Sequence, residues 1–136
     1  MIQKVTSIVL IDDDLAMNYL HKRLFSKLQF GETIVPFYNC NDALKELKNL
    51  NPLIIDNSIL VIFLDINMPG MDGWSFLEEF KTIQTSIKCQ IKIFILSSSI
   101  NPEDIKKAKQ NNFITDYLIK PLNEEDVNSI TEKYLQ

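Results

Sequence analysis

Leu60-Val61-Ile62-Phe63-Leu64 is an unbroken apolar run, and it ends on an acid, Asp65. A strand with one wet face alternates apolar and polar side chains, so a run without alternation reads as a strand covered on both faces by helices of a parallel sheet. Ile93-Phe94-Ile95-Leu96 repeats the pattern and closes on Ser97. Both therefore belong in a sheet interior. Working outward, further strand candidates are Ser7 to Ile11, Thr33 to Phe37 and Asp116 to Ile119, while the fourth strand takes in Lys92 to Leu96. Amphipathic stretches separate them.

In the first of these stretches Leu20, Leu24 and Leu28 recur every four residues beside Leu15 and Phe25, predicting one apolar helical stripe. Ala43, Leu44 and Leu47 mark a second helix, and Trp74, Leu77 and Phe80 a third. Asn101-Pro102-Glu103-Asp104 and Asn123-Glu124-Glu125-Asp126 each place an Asn cap before acids, as two further helix starts require. Strands alternating with helices imply parallel pairing and helices on both sheet faces. Pro36 lacks a donor for the ladder, which sends the second strand to an edge. The expected fold is an α/β three-layer α-β-α sandwich with a five-stranded parallel sheet of order 2-1-3-4-5.

With 136 residues the chain is the size of one domain, and residues 1–136 are expected to form it. A net charge of -4 with no basic cluster disfavours nucleic acid and anionic membrane as partners. Cys40 and Cys89 lack metal-site spacing and read as reduced, buried thiols. The longest apolar run is too short to cross a bilayer, and a cytoplasmic location is expected. His21 is the sole histidine and reads as a surface helix residue.

Ligands of such a sheet bind beyond the strands' carboxyl ends, where strand order reverses. The residues following the strands are Asp12-Asp13-Asp14, Asp65-Ile66-Asn67, Ser97-Ser98-Ser99 and Lys120-Pro121. Carboxylates crowded there repel: two unit charges ~4 Å apart cost about 4 kcal/mol at an effective dielectric of about 20. A hard divalent cation suits oxygen-only ligands, and Mg²⁺, which keeps water and favours phosphate as co-ligand, is the expected one. Lys120 can neutralise further negative charge, and the Ser97 hydroxyl can donate to a phosphoryl oxygen. These parts suit phosphoryl transfer. Asp14 reads instead as the cap of the first helix. Taken singly, Ser97 would be an ordinary loop residue and Lys120 a solvated charge; their positions after strands promote them.

Four motifs resemble the response-regulator receiver family, whose simplest member type is the chemotaxis regulator: Leu10-Ile11-Asp12-Asp13-Asp14, Leu64-Asp65-Ile66-Asn67-Met68-Pro69-Gly70-Met71-Asp72-Gly73, Leu96-Ser97-Ser98 and Tyr117-Leu118-Ile119-Lys120-Pro121. The resemblance implies a flavodoxin-like, CheY-like fold and a magnesium-dependent switch in two-component phosphorelay signalling rather than an enzyme. It implies Asp65 as phosphoacceptor from a sensor histidine kinase or phosphotransfer protein, giving an aspartyl phosphate. Asp13, Asp65 and the Asn67 carbonyl would hold Mg²⁺, with Asp12 acting through water. Ser97 and Lys120 would bind the phosphoryl group, and the Lys120-Pro121 bond would be cis. Ser97 and Tyr117 would switch the surface from Asn101 to Leu135 toward an unknown downstream protein. By position alone Tyr117 is a plain edge-strand aromatic.

Departures from the family pattern are longer connections at Asn49 to Ser58 and Ile83 to Ile91, the absent methyl at Ser97, and Ser99 where an acid or amide can stand. A rival class is the Mg²⁺-dependent, aspartate-nucleophile phosphohydrolase of haloacid dehalogenase type, with Asp12-x-Asp14 as paired acids. It lacks the Thr or Val expected after them and leaves the Asp65 motif unexplained. A flavodoxin would need a first loop that cradles phosphate, which three aspartates repel. No DNA-binding or catalytic segment is read after the last helix, so output is expected through a separate protein. Cognate kinase, stimulus, phosphoryl lifetime and oligomeric state have no signature in the sequence.

Overall fold

The computed structural model describes residues 5–49, 59–87 and 89–135. Among the described residues five strands alternate with five helices: β1 (Ser7–Ile11), α1 (Leu15–Lys27), β2 (Thr33–Phe37), α2 (Cys40–Asn49), β3 (Ile59–Leu64), α3 (Gly73–Ile83), β4 (Gln90–Ser97), α4 (Pro102–Lys109), β5 (Asp116–Ile119) and α5 (Glu124–Tyr134). All strand pairs are parallel and the order is β2-β1-β3-β4-β5. Pro36 lies on the edge strand β2, where its missing donor is tolerated.

Every residue of β3 is buried, and consecutive side chains go to opposite faces. Leu60, Ile62 and Leu64 join Ala43, Leu44, Leu47, Phe76, Leu77, Phe80 and Ala108 in a core beneath α2, α3 and α4. Ile59, Val61 and Phe63 join Phe25, Val127 and Ile130 in a second core beneath α1 and α5. The absence of alternation in Leu60 to Leu64 thus records two cores sharing one strand. On the second face Phe25, Phe63 and Phe94 stack in series at centroid distances of 5.0 and 5.4 Å, tying α1 to the sheet centre. Offset ring pairs of this kind contribute roughly 0.5–1.5 kcal/mol beyond their area.

Helix starts follow the expected chemistry. Asp14 caps α1 by accepting from Met17 N–H, Asn101 caps α4, and Asn123 forms a reciprocal capping box with Asp126 on α5. The inward face of α1 differs from the expected leucine stripe. Its buried residues are Asn18, His21 and Phe25, with Leu24 and Leu28 packed at the margin. Leu15 and Leu20 are 66% and 51% exposed. His21, expected at the surface, is only 2% exposed. Backbone groups from distant segments supply the polar partners that make Asn18 and His21 acceptable inside. On α3 the fully buried aromatic besides Phe80 is Phe76, while Trp74 is half-buried with the Lys107 ammonium 4.6 Å from its ring centroid.

Cys40 is buried and Cys89 half-buried; both are free thiols. Burial pushes the Cys40 thiol up to about 12, helped by the charges of Asp72 and Asp65. Of the two extended connections, 50–58 lies outside the described residues. The other contains the end of α3, a 3-10 turn (Gln84–Ser86) and Ile87, which is buried in the first core.

Candidate functional site

β1 and β3 are neighbours in register, Ile11 opposite Leu64, so the acids that follow them emerge side by side. Asp65 N–H continues the ladder by donating to the Ile11 carbonyl at 2.9 Å. One carboxylate oxygen each from Asp12, Asp13 and Asp65 falls within 4.8 Å of the others. Asp12 and Asp65 are buried and Asp13 exposed, so the cluster opens to solvent on one side. Asp14, exposed and engaged as the α1 cap, is not part of it. Of the Asp12-x-Asp14 pair that a dehalogenase-type site uses, Asp14 is thus committed to the helix start.

Lys120 reaches the cluster from the end of β5. Its Nζ lies 2.8 Å from Asp12 Oδ2 and 3.2 Å from Asp65 Oδ2, with the three side chains 6–9% exposed. The remaining oxygens are held by local backbone: Asp14 N–H donates to Asp12 Oδ1 at 2.9 Å and Asn67 N–H to Asp65 Oδ1 at 3.0 Å. Burial pushes the Asp65 pKa up; the Asn67 N–H and Lys120 pull it down without cancelling the rise, and the Asp12 charge adds to it. Burial acts to lower the Lys120 pKa, but the hydrogen bond and charge of Asp12, with those of Asp65, overcome it and the net shift is upward. One ammonium against three clustered carboxylates leaves two in excess, and a site whose Asp65 resists ionisation is one that a divalent cation would relieve. The oxygen-only donor set, open on one side, fits Mg²⁺ with retained water.

Ser97 is fully buried at the end of β4, and its Oγ accepts the Ser99 N–H at 3.0 Å. It meets Lys120 through the backbone, where Lys120 N–H donates to the Ser97 carbonyl at 2.9 Å. Tyr117 is half-buried on β5, and its hydroxyl donates to the Ser99 carbonyl at 2.7 Å. The Lys120-Pro121 peptide is cis. Asn67 is exposed beside Asp65.

Two features of the site escaped sequence reading. Asn18 Nδ2 donates to the carbonyls of Asp12 at 2.9 Å and Phe37 at 3.3 Å, anchoring the first acidic loop to α1. Gly73 opens α3 directly under Asp65: a Cβ there would stand 2.7 Å from the Asp65 carbonyl oxygen and 2.8 Å from Ile66 Cα. Gly73 was visible as the last residue of the second motif, but its reason, a helix start pressed against backbone, is tertiary.

The profile of the response regulator receiver domain matches residues 8–132. The chain belongs to this family. Receiver domains are phosphorylation-controlled parts of two-component systems and serve generally as signalling switches, and the CheY-like fold expected of them is the one observed. Among solved structures, a two-component response regulator from Cytophaga hutchinsonii is 31% identical and superposes with a TM-score of 0.83, covering 96% of each chain. Among curated relatives, the probable methanogenesis regulatory protein FilR2 of Methanothrix harundinacea is 29% identical over 93% of this chain and 79% of its own. Sporulation initiation phosphotransferase F of Bacillus subtilis is 25% identical over 94% of this chain and 92% of its own. Among the described residues, no helix of this receiver is long and apolar enough to cross a membrane.

Proposed function

We propose that residues 1–136 act as one cytoplasmic receiver unit that accepts a phosphoryl group on Asp65. A sensor histidine kinase or phosphotransfer protein is the donor. The observation that carries this reading is the meeting of Asp12, Asp13 and Asp65 around one small volume with Lys120 against two of them. A carboxylate oxygen of Asp65 attacks the phosphorus of a donor phosphohistidine, an O–P bond forms, the P–N bond breaks, and the electron pair returns to the donor imidazole. Asp13, Asp65 and the Asn67 carbonyl would hold Mg²⁺, with Asp12 linked through water. When bound, the ion neutralises charge on the phosphoryl oxygens and lowers the Asp65 pKa. Lys120 gives up part of its contact with Asp65 to pair with the phosphoryl group, and it stays near Asp12.

The Ser97 hydroxyl turns toward the phosphoryl oxygen, which withdraws the acceptor of the Ser99 N–H. The Tyr117 hydroxyl is held by the Ser99 carbonyl, so movement at Ser97 is passed to β5 and the start of α4. The responding surface is Asn101 to Leu135, where a separate downstream protein docks; neither nucleic acid nor membrane is a partner. The protein is a switch and turns over no substrate of its own.

A small phosphodonor with Mg²⁺ should add one phosphoryl group by intact mass to the wild type and none to Asp65→Asn. Equal labelling of the variant moves the acceptor elsewhere, and steady turnover of a generic phosphomonoester would make the protein an enzyme after all.

A further inference from the structure

His21 has no role in the site described so far, yet it is buried against it. Its Nε2 accepts the Leu122 N–H at 3.1 Å, across 101 residues of chain. Leu122 directly follows Lys120-Pro121, and Pro121 has no N–H of its own to anchor. The segment carrying the site lysine is therefore tied down at two points: Lys120 N–H to the Ser97 carbonyl on one side, and Leu122 N–H to His21 on the other. The next residue, Asn123, is already engaged in the α5 capping box. One turn earlier on the same inward face of α1, Asn18 holds the carbonyl of Asp12. The helix thus grips the two chain segments whose side chains make the 2.8 Å ion pair between Asp12 and Lys120.

We infer that His21 is a positioning residue for Lys120: its imidazole, as a neutral acceptor, fixes the backbone after Pro121 so that the ammonium is aimed at Asp12 and Asp65. The chemistry is specific. An acceptor at Nε2 requires the tautomer with hydrogen on Nδ1. Burial, the leading influence, holds the ring's pKa down at about 4, so this neutral form is the one present near neutrality. Leucine could fill the same space but would leave a buried N–H unpaired, whereas the glutamine side-chain oxygen can accept in place of the ring nitrogen. The inference rests on the reading of Lys120 as the phosphoryl partner, and its test separates the two.

Two measurements decide it. Nitrogen NMR of the wild type, which needs no phosphorylation, should find His21 in the Nδ1–H tautomer near neutral pH, with coupling between Leu122 N–H and Nε2. Hydrogen on Nε2 overturns the inference. Labelling of Asp65 by a small phosphodonor should slow about tenfold in His21→Leu and recover to within about threefold of wild type in His21→Gln. Equal rates for His21→Leu and wild type, or an equal loss in His21→Gln, overturn it. Should His21→Leu not fold, the tautomer and the His21→Gln rate decide. A wild type that takes no label at all overturns the Asp65 reading instead, and the NMR result still decides the role of His21.

Discussion

Lys120 Nζ and Asp12 Oδ2 are 2.8 Å apart across 108 residues of chain, and the same ammonium lies 3.2 Å from Asp65. The lysine occupies the place where positive charge is needed and so competes with any cation that the three acids attract. Lys120→Gln should strengthen Mg²⁺ binding several-fold in calorimetry while slowing phosphorylation of Asp65 at least tenfold. Its metal-free stability should fall by on the order of 2 kcal/mol, less than the 3–5 kcal/mol usual for breaking a buried pair, because Asp12 and Asp65 keep the N–H donors of Asp14 and Asn67. Weaker Mg²⁺ binding in the variant would instead mean that Lys120 holds the carboxylates in place for the ion.

The pH dependence of folding should carry the signature of His21. Its pKa is about 4 in the folded protein against 6.5 for the free side chain, with burial as the main cause and the charges of Asp12 and Lys120 acting in opposite directions. A folded pKa below the unfolded one means that the unfolded chain binds more protons between those values. The contribution is therefore complete above pH 6.5 and is lost as pH falls toward 4. At about 1.4 kcal/mol per pKa unit the loss is on the order of 3 kcal/mol. Urea titrations of wild type and His21→Gln across this range isolate it, since the carboxylates titrate in both. Parallel stability curves would mean that His21 is charged in the folded state.

Gly73→Ala should be destabilising out of proportion to one methyl group. The added carbon meets the Asp65 carbonyl and Ile66 Cα, backbone atoms that cannot rotate away, so α3 must back off from β3. Overpacking of this kind costs about 1–3 kcal/mol. Chemical denaturation should give that loss, and Mg²⁺ affinity should drop with it, because the displaced backbone carries Asp65. A variant as stable as wild type would mean that the helix start shifts freely.

The loop after β4 is held shut by Ser99. Its Oγ donates to Asp104 at 2.8 Å, its carbonyl accepts from Tyr117, and its N–H donates to Ser97. Asp104→Ala removes the link to α4 and should cost about 1 kcal/mol. Amide exchange should quicken in Ser98 to Ile105 and stay unchanged in β1 and β3. Uniformly faster exchange would point to global destabilisation rather than a released loop.

How much of this was legible in sequence differs by element. β1, β2 and β5 have the bounds expected from the sequence, and the unbroken apolar runs mark β3 and β4, where those residues are buried in the sheet interior. The caps at Asp14, Asn101 and Asn123 were equally legible, since capping is settled within four residues of chain. The leucine stripe of α1 failed for the opposite reason. Its periodicity was real, but Leu20 ended half-exposed while Asn18 and His21 went inside, because the partners of those two are carbonyls and an N–H from Asp12, Phe37 and Leu122. No local pattern announces such partners.

By itself the sequence determined the alternation of strands and helices, the edge position of Pro36, and the four motifs that bring acids, a serine and a lysine to strand ends. These follow from side-chain hydrophobicity and backbone chemistry acting over a few neighbours. Only the tertiary structure decided that Lys120 touches Asp12 and Asp65, that Gly73 leaves room for the Asp65 backbone, and that His21 holds the lysine's loop. Each is a contact between segments brought together by the parallel sheet, and the strength of a buried polar contact depends on where its partner stands, which the order of residues along one segment does not specify.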